Sequence, residues 1–438
     1  MEKAQKDERP PPSCSSIELS CEKPETKSWK RYLILFTVSW NALVITSTST
    51  SLLAVRPEIA ATLQTTDEIL NITNAAVLVA SAFASLIWIP ISVIFNQRIG
   101  YNFAIVCLLL SSIGTAAAPN VATFTAMRIL TGLTGAYFMV AGQAFIAEIF
   151  PPTVRGRAFS CVTVGAVSGT ALGPLFAGVI VTFRSWPKTG DKVQVLERIS
   201  DIVLTPVLVV RRFNPSHVFG VFRHRQVLLA NLVCGFLGLT QYGLLTSVWH
   251  VVNPRFNFDT PLISGLFYLA LAIRFVIGSI VGGWFSDRTV KHWIAKRNGE
   301  RLPRDRLRSG LVCFLFLLPV SNISYGWSMQ LKFGGLALAV ALAFLVGTCL
   351  LAAWNSLSTY VGEVIPDQRS EVLCSKYIVQ YSFSAAATGA IVPLIDAIGM
   401  GWSFTILISI LYKHFGGSTC IVCRKDRREA TMRIRISD

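Results

Sequence analysis

Charge is scarce in this sequence of 438 residues: Asp, Glu, Lys and Arg make up 15% of it, against about 25% in an ordinary soluble domain. Acids are scarcer still, at 24 Asp and Glu to 40 Lys and Arg, and none stands in the central part of a long apolar run. A soluble enzyme could not hide the apolar surface of a chain that is 52% hydrophobic with a mean hydropathy of +0.54. A G-x-x-x-x-G-K-[ST] loop for nucleotide phosphates is absent, which excludes an ATP-driven pump on this chain alone. No cleavable leader is legible, since residues 1–28 are polar, with Pro10, Pro11 and Pro12 in a row, and read as a disordered tail. The ten cysteines make no disulfide framework. Cys107, Cys161, Cys234, Cys313, Cys349 and Cys374 lie in or beside apolar runs, where a thiol packs as a small apolar group. Cys420 and Cys423 form a C-x-x-C without the second pair that a metal or redox site needs. Neither metal nor cofactor is expected, and no enzymatic activity.

What the sequence has instead is a series of apolar runs, each about 20 residues long and able to cross a bilayer. They fall at 33–54, 72–95, 102–118, 122–146, 158–183, 226–252, 261–283, 309–328, 333–356, 373–397 and 400–422. Only helices can serve, because lipid offers an open backbone no hydrogen-bond partner. The expected fold is therefore an all-α polytopic membrane protein of about eleven spans. The net charge of +16 points to membrane topology rather than nucleic acid, because the basic residues cluster between spans.

An odd number of spans conflicts with the loop charges. Strict alternation through eleven spans would leave most of the Lys and Arg of segments 184–225, 286–308 and 424–438 outside the cell. One further crossing after Trp186 brings nearly all of them inside, as the positive-inside rule requires. The chain thus reads as a twelve-helix protein whose sixth helix is missing or shortened. The expected organisation is a cytoplasmic tail at 1–30, a helix bundle at 31–186, a central cytoplasmic segment at 187–225, a second bundle at 226–423 and a basic tail at 424–438.

The two bundles repeat one another faintly. Glu148, Pro151 and Arg155 follow the fourth span as Glu363, Pro366 and Arg369 follow the ninth. Arg98 and Gly100 follow the second span, and Gly283, Asp287 and Arg288 follow the seventh. Paired halves of this kind build many secondary transporters, with the substrate site at their seam. Four stretches then resemble the major facilitator superfamily, and within it the fungal twelve-spanner drug:proton antiporters. Gly283, Asp287 and Arg288 are similar to its G-x-x-x-D-R signature; Arg128, Gly132 and Gly135 are similar to its R-x-x-x-G signature. Gly169, Gly173, Pro174 and Gly178, with Ala177 for one glycine, resemble the antiporter signature G-x-x-x-G-P-x-x-G-G. Pro393, Asp396, Gly399 and Trp402 resemble the end of the eleventh helix in fungal members. The first-half loop departs from the pattern, with Gln97 in place of the expected aspartate.

Glycines 165, 169 and 173 with Ala177 form a smooth stripe that lets helices approach closely in lipid, and Pro174 should bend its helix. Arg128 is expensive at membrane depth and is expected to face the bundle or a water cavity; the resemblance implies a part in proton relay. Arg274 and Lys376 are equally deep, match no family motif, and read as well as structural pairs. Candidate cavity residues are Asn41, Gln143, Asn231, Gln241, Tyr242, Trp354, Asn355 and Tyr381. Few charges and several aromatics suit a bulky, largely apolar, weakly charged compound. Asn71 and Thr73 form a glycosylation sequon at the external end of the second span.

The resulting expectation is a monomeric efflux carrier in the plasma membrane, exporting a drug or fungal secondary metabolite by proton antiport with alternating access. A non-transporting remnant that lost its sixth helix, and a sensor built on the same fold, are the readings it competes with.

Overall fold

The computed structural model describes residues 28–51, 56–94, 97–183, 216–256, 261–299, 302–365 and 368–411. Among them every regular element is a helix. The eleven long elements are α1 Ser28–Thr50, α2 Asp67–Ile94, α3 Gln97–Ala116, α4 Val121–Ile149, α5 Pro152–Phe183, α6 Arg225–Ser247, α7 Pro261–Lys296, α8 Asp305–Gln330, α9 Gly335–Val364, α10 Arg369–Ile398 and α11 Met400–Leu411. Each apolar run read from the sequence falls on one of them. Among the described residues nine helices are long and apolar enough to cross a membrane, and Met400–Ile410 is a shorter apolar helix. A π-helical turn at Cys313–Leu317 interrupts α8, and another at Val248–Val252 prolongs α6. Large apolar side chains on α1 and α3, such as Trp29, Phe36, Trp40 and Leu109, remain exposed, as a lipid-facing perimeter should.

Local chemistry sets several helix ends. Asn120 caps α4 by accepting the amide of Thr123 at 2.8 Å. Between α10 and α11 the chain reverses at Gly399, whose φ of 83° is open only to a residue without a side chain.

Two crossed helix pairs hold the halves together. α5 packs on α1 within its own half and on α7 of the other; α10 packs on α6 and, across the seam, on α2. α1 and α5 are parallel, because Gly165 lies against Ser39 and Gly173 against Ser47. α6 and α10 are parallel too, with Asn231 bonded to Ser375 near one end and His250 to Asp396 at the other. The ends of the bundle can be named by two residues, Asp287 and Arg128. α5 finishes at the Arg128 end, whereas the short helix Ser216–Val221 packs beside Cys374 and Leu86, and α6 begins, at the Asp287 end. The connection 184–215 lies outside the described residues, and so do the expected gap at the sixth helix, most of the central segment, and both tails.

Candidate functional site

The seam between the halves is closed at the Asp287 end by a buried ionic network. Asp287, 1% exposed, ends the tight stretch of α7 that begins at Gly283, where a Cβ would collide with Ser160 of α5. Its Oδ1 accepts the Gly156 amide at 2.9 Å and Oδ2 accepts the Arg157 amide at 3.0 Å, so the carboxylate sits on the opening turns of α5. A helix N-terminus favours that charge. Arg306, wholly buried, donates to Asp287 at 2.9 Å and to Glu363 Oε1 at 3.2 Å, and its other nitrogen reaches the Pro152 carbonyl at 2.5 Å. Arg155 of the first half donates to the same Glu363 oxygen at 3.2 Å, and Arg369 of the second half donates to the Ala147 carbonyl at 2.9 Å. Of the repeated Glu and Arg residues, Arg155 and Glu363 thus pair across the seam, and Arg369 reaches the first half through the Ala147 carbonyl. Their symmetry is imperfect: Glu363 is buried in the network, while its counterpart Glu148 is exposed. Arg288 turns outward over the Trp284 ring. In the first-half loop Gly100 is buried; the side chains of Gln97 and Arg98 lie outside the described residues.

Above this network a cavity of about 80 Å³ opens between α1, α2, α4 and α5 on one side and α6 and α10 on the other. Hydroxyls line it (Thr46, Ser49, Ser81, Thr246, Thr388), together with Asn74, the aromatic rings of Tyr242 and Tyr381, and apolar Ile45, Val77 and Met139. Gly132 and Gly135 on α4 let α2 and α1 close in, and Ser81 donates to the Gly132 carbonyl at 3.1 Å. Such a space holds a few water molecules, so a drug-sized ligand requires the seam to widen. Among the described residues no group of three or more His, Cys, Asp or Glu converges as a metal site would require.

Arg128 forms the cavity wall at its own end and is 2% exposed. Its guanidinium donates to the Thr48 and Ser49 carbonyls at 3.3 and 2.9 Å and to Asn74 Oδ1 at 3.2 Å. Those carbonyls belong to the last turn of α1, which has no intrahelical donors left to satisfy them. The arginine therefore caps one helix while facing the cavity, and does not reach out to the headgroups.

The eight cavity candidates divide by position. Tyr242 and Tyr381 line the cavity. Gln143 and Trp354 gather around Lys376 beneath it. Asn41, Asn231 and Asn355 spend their amides on bonds between helices, to Tyr101 at 2.9 Å, Ser375 at 2.8 Å and the Ser279 carbonyl at 3.0 Å. Gln241 is buried on α6 and is not among the lining residues. The amide of Asn71 donates to the Thr388 carbonyl at 2.9 Å, so it faces α10 rather than open surface. Glycines 165, 169 and 173 form the closest approach of α5 to α1, each directed at α1 backbone. The surroundings of Pro174 and Gly178 lie outside the described residues. Arg306, the hub of the network, and the lining hydroxyls were not singled out in the sequence.

Two helical halves, closed on each other at one end around a polar-lined cavity, make up the architecture of a membrane carrier. The family model "Major Facilitator Superfamily" matches residues 38–189. The chain is 25% identical to an MFS-type transporter, mpsC, of Macrophomina phaseolina over 394 residues, 79% of this chain and 76% of that protein. It is 19% identical to the MFS antiporter QDR3 of Candida albicans over 87% of this chain and 76% of that one. Its fold matches the solved proton:xylose symporter XylE with a TM-score of 0.66 at 14% identity, covering 91% of this chain and 96% of that one. Residues 38–189 thus match the major facilitator model, the fold is that of the solved symporter, and the apolar helices among the described residues mark a multi-pass membrane protein.

Proposed function

We propose that this transporter is an efflux carrier that exports a bulky, largely apolar small molecule across the plasma membrane in exchange for protons. The observation that carries the reading is the closed seam at the Asp287 end, with a cavity above it lined by hydroxyls, aromatic rings and apolar side chains. Basic residues crowd that end, among them Arg155, Arg157, Arg288, Lys291, Lys296 and Arg308, which supports a cytoplasmic placement for it. Closure there describes a carrier shut toward the cytoplasm, and opening of the network would expose the cavity inward. The name of the Candida albicans relative, an antiporter, supports exchange.

α5 ends at the Arg128 end and α6 starts at the Asp287 end, which together with the loop charges supports an even count of crossings before α6. The prediction is direct. A cysteine at Gly220, where a Cβ meets nothing within 4 Å, should not be labelled by an impermeant maleimide added outside intact cells. Strong external labelling would invert the orientation.

Coupling is tested at Arg128. In vesicles with an imposed pH gradient the expected order of transport is wild type, then Arg128→Lys, then Arg128→Ala. Lysine keeps the charge but cannot serve the Thr48, Ser49 and Asn74 oxygens together, and alanine loses both charge and cap. Transport indifferent to the gradient and to the alanine change would leave a facilitated-diffusion carrier as the account.

A further inference from the structure

One buried charge has no part in the network or the cavity wall. Lys376 stands seven residues into α10, about 10 Å along the helix, and its exposure is 0%. Its ammonium donates to Ser358 Oγ at 3.0 Å and to Gln143 Oε1 at 3.4 Å. It also lies 4.3 Å from the centre of the Tyr377 ring and 5.9 Å from that of Trp354. All four neighbours are neutral. The ion pairs formed by described carboxylates involve Asp287, Asp305, Glu363 and Asp396, and none of them includes Lys376. A cation taken out of water without a counter-ion costs several kcal/mol. Packing alone would be served better by leucine or methionine of similar volume.

Position supplies the counter-ion. Tyr377 stacks on Tyr381, with ring centres 5.7 Å apart, and Tyr381 lines the cavity. On α4, Gln143 lies one turn beyond Met139, which lines the same cavity. The ammonium is therefore one aromatic layer below the cavity floor, toward the Asp287 end. Its bond to Gln143 crosses from the second half to the first, so it parts when that end opens. In the opened seam Lys376 would face the cavity, flanked by the Tyr377 and Trp354 rings.

We propose that Lys376 is the anion-receiving group of the carrier, and that the substrate is a largely apolar, aromatic molecule bearing one carboxylate or a comparable single negative charge. This rests on the carrier reading above and names its substrate class. The Gln143 amide oxygen holds the ammonium in the closed state; the substrate anion replaces it in the open one, while the two rings receive the apolar body. Opposite charge in a site of low polarity makes the pair far stronger than it would be in water.

The test uses the purified full-length chain in lipid nanodiscs with three probes of nearly equal shape: 2-naphthoate, 2-naphthamide and 2-naphthylmethylammonium. Binding is followed by tryptophan quenching and by the shift in unfolding temperature. Naphthoate should bind the wild type at least about tenfold more tightly than the amide, with the cation weakest. Lys376→Gln should abolish the difference, and Lys376→Arg should keep it. Equal affinities in the wild type, preference for the cation, or no naphthoate binding overturns the proposal, and these comparisons need no variant to fold. Loss of the preference in Lys376→Arg as well would make the proton of Lys376, not its charge, the working element, and likewise overturns it. Failure of the two readings is separable. Anion preference without transport in vesicles sinks the carrier and keeps the site, whereas equal transport of all three probes does the reverse.

Discussion

Asp287→Asn is expected to lower transport at least about tenfold while the protein still folds and reaches the membrane. The carboxylate accepts two α5 amides and the Arg306 guanidinium, all of them donors. An asparagine offers one acceptor oxygen and turns an NH2 group toward donors. Removing one member of a buried pair costs about 3–5 kcal/mol, and the lower figure applies because Arg306 keeps Glu363. About 3 kcal/mol shifts a two-state equilibrium by roughly a hundredfold. The shift falls on the state closed at the Asp287 end, since the network exists only there. The reagent to follow it is a cysteine at Ser160, which lies under Gly283 in the closed seam. Its labelling from the cytoplasmic side should quicken in the Asp287→Asn background. Unchanged labelling together with unchanged transport would mean that the network only decorates the seam.

The second large effect is expected from a single methyl group. Gly169→Ala should remove most transport, whereas Gly389→Ala should leave it within about twofold. A Cβ at Gly169 runs into the Leu43 carbonyl, the Thr46 hydroxyl and the Ser47 amide of α1; at Gly389 it meets nothing within 4 Å. Backbone atoms cannot swing aside as a side chain would, so α1 and α5 must separate, and overpacking of this kind costs about 1–3 kcal/mol. Both helices line the cavity, through Thr46 and Thr170, and the same separation would distort it. Gly173→Leu, aimed at the Ser47 carbonyl one turn on, should be more damaging still. Transport is measured per molecule at the surface. If Gly169→Ala transports normally, the small-residue face is plain packing with slack in it.

How much of this was legible in the sequence depended on whether a property was local. The spans were legible because hydropathy over 20 residues is fixed by the residues themselves and by the thickness of the bilayer. Arg128 stood out as a charge too costly to bury without a use, and Asp287 through its resemblance to the G-x-x-x-D-R signature. The glycine face of α5 announced a close approach by its four-residue spacing, though not that α1 is the partner. Arg306 did not stand out. It sits in a run of basic residues that the topology rule already explained, and only the meeting of α7, α8, α9 and α5 turns it inward to join Asp287 and Glu363.

The division is sharpest among the polar residues of the spans. Asn41, Asn231 and Asn355 looked like cavity groups, and each closes a helix contact instead. Thr46, Ser81 and Thr388 looked ordinary, since a hydroxyl on a helix bonds back to its own preceding turn, as all three do here, and they line the cavity. The amino-acid sequence by itself determined a bilayer-spanning bundle of helices in two related halves, with its costly charges and its small-residue face. Only the tertiary structure decided which side chains look into the seam, because that depends on the rotation of six helices about their axes relative to one another. Helical period places residues on a common face, and contact between helices chooses where the face points.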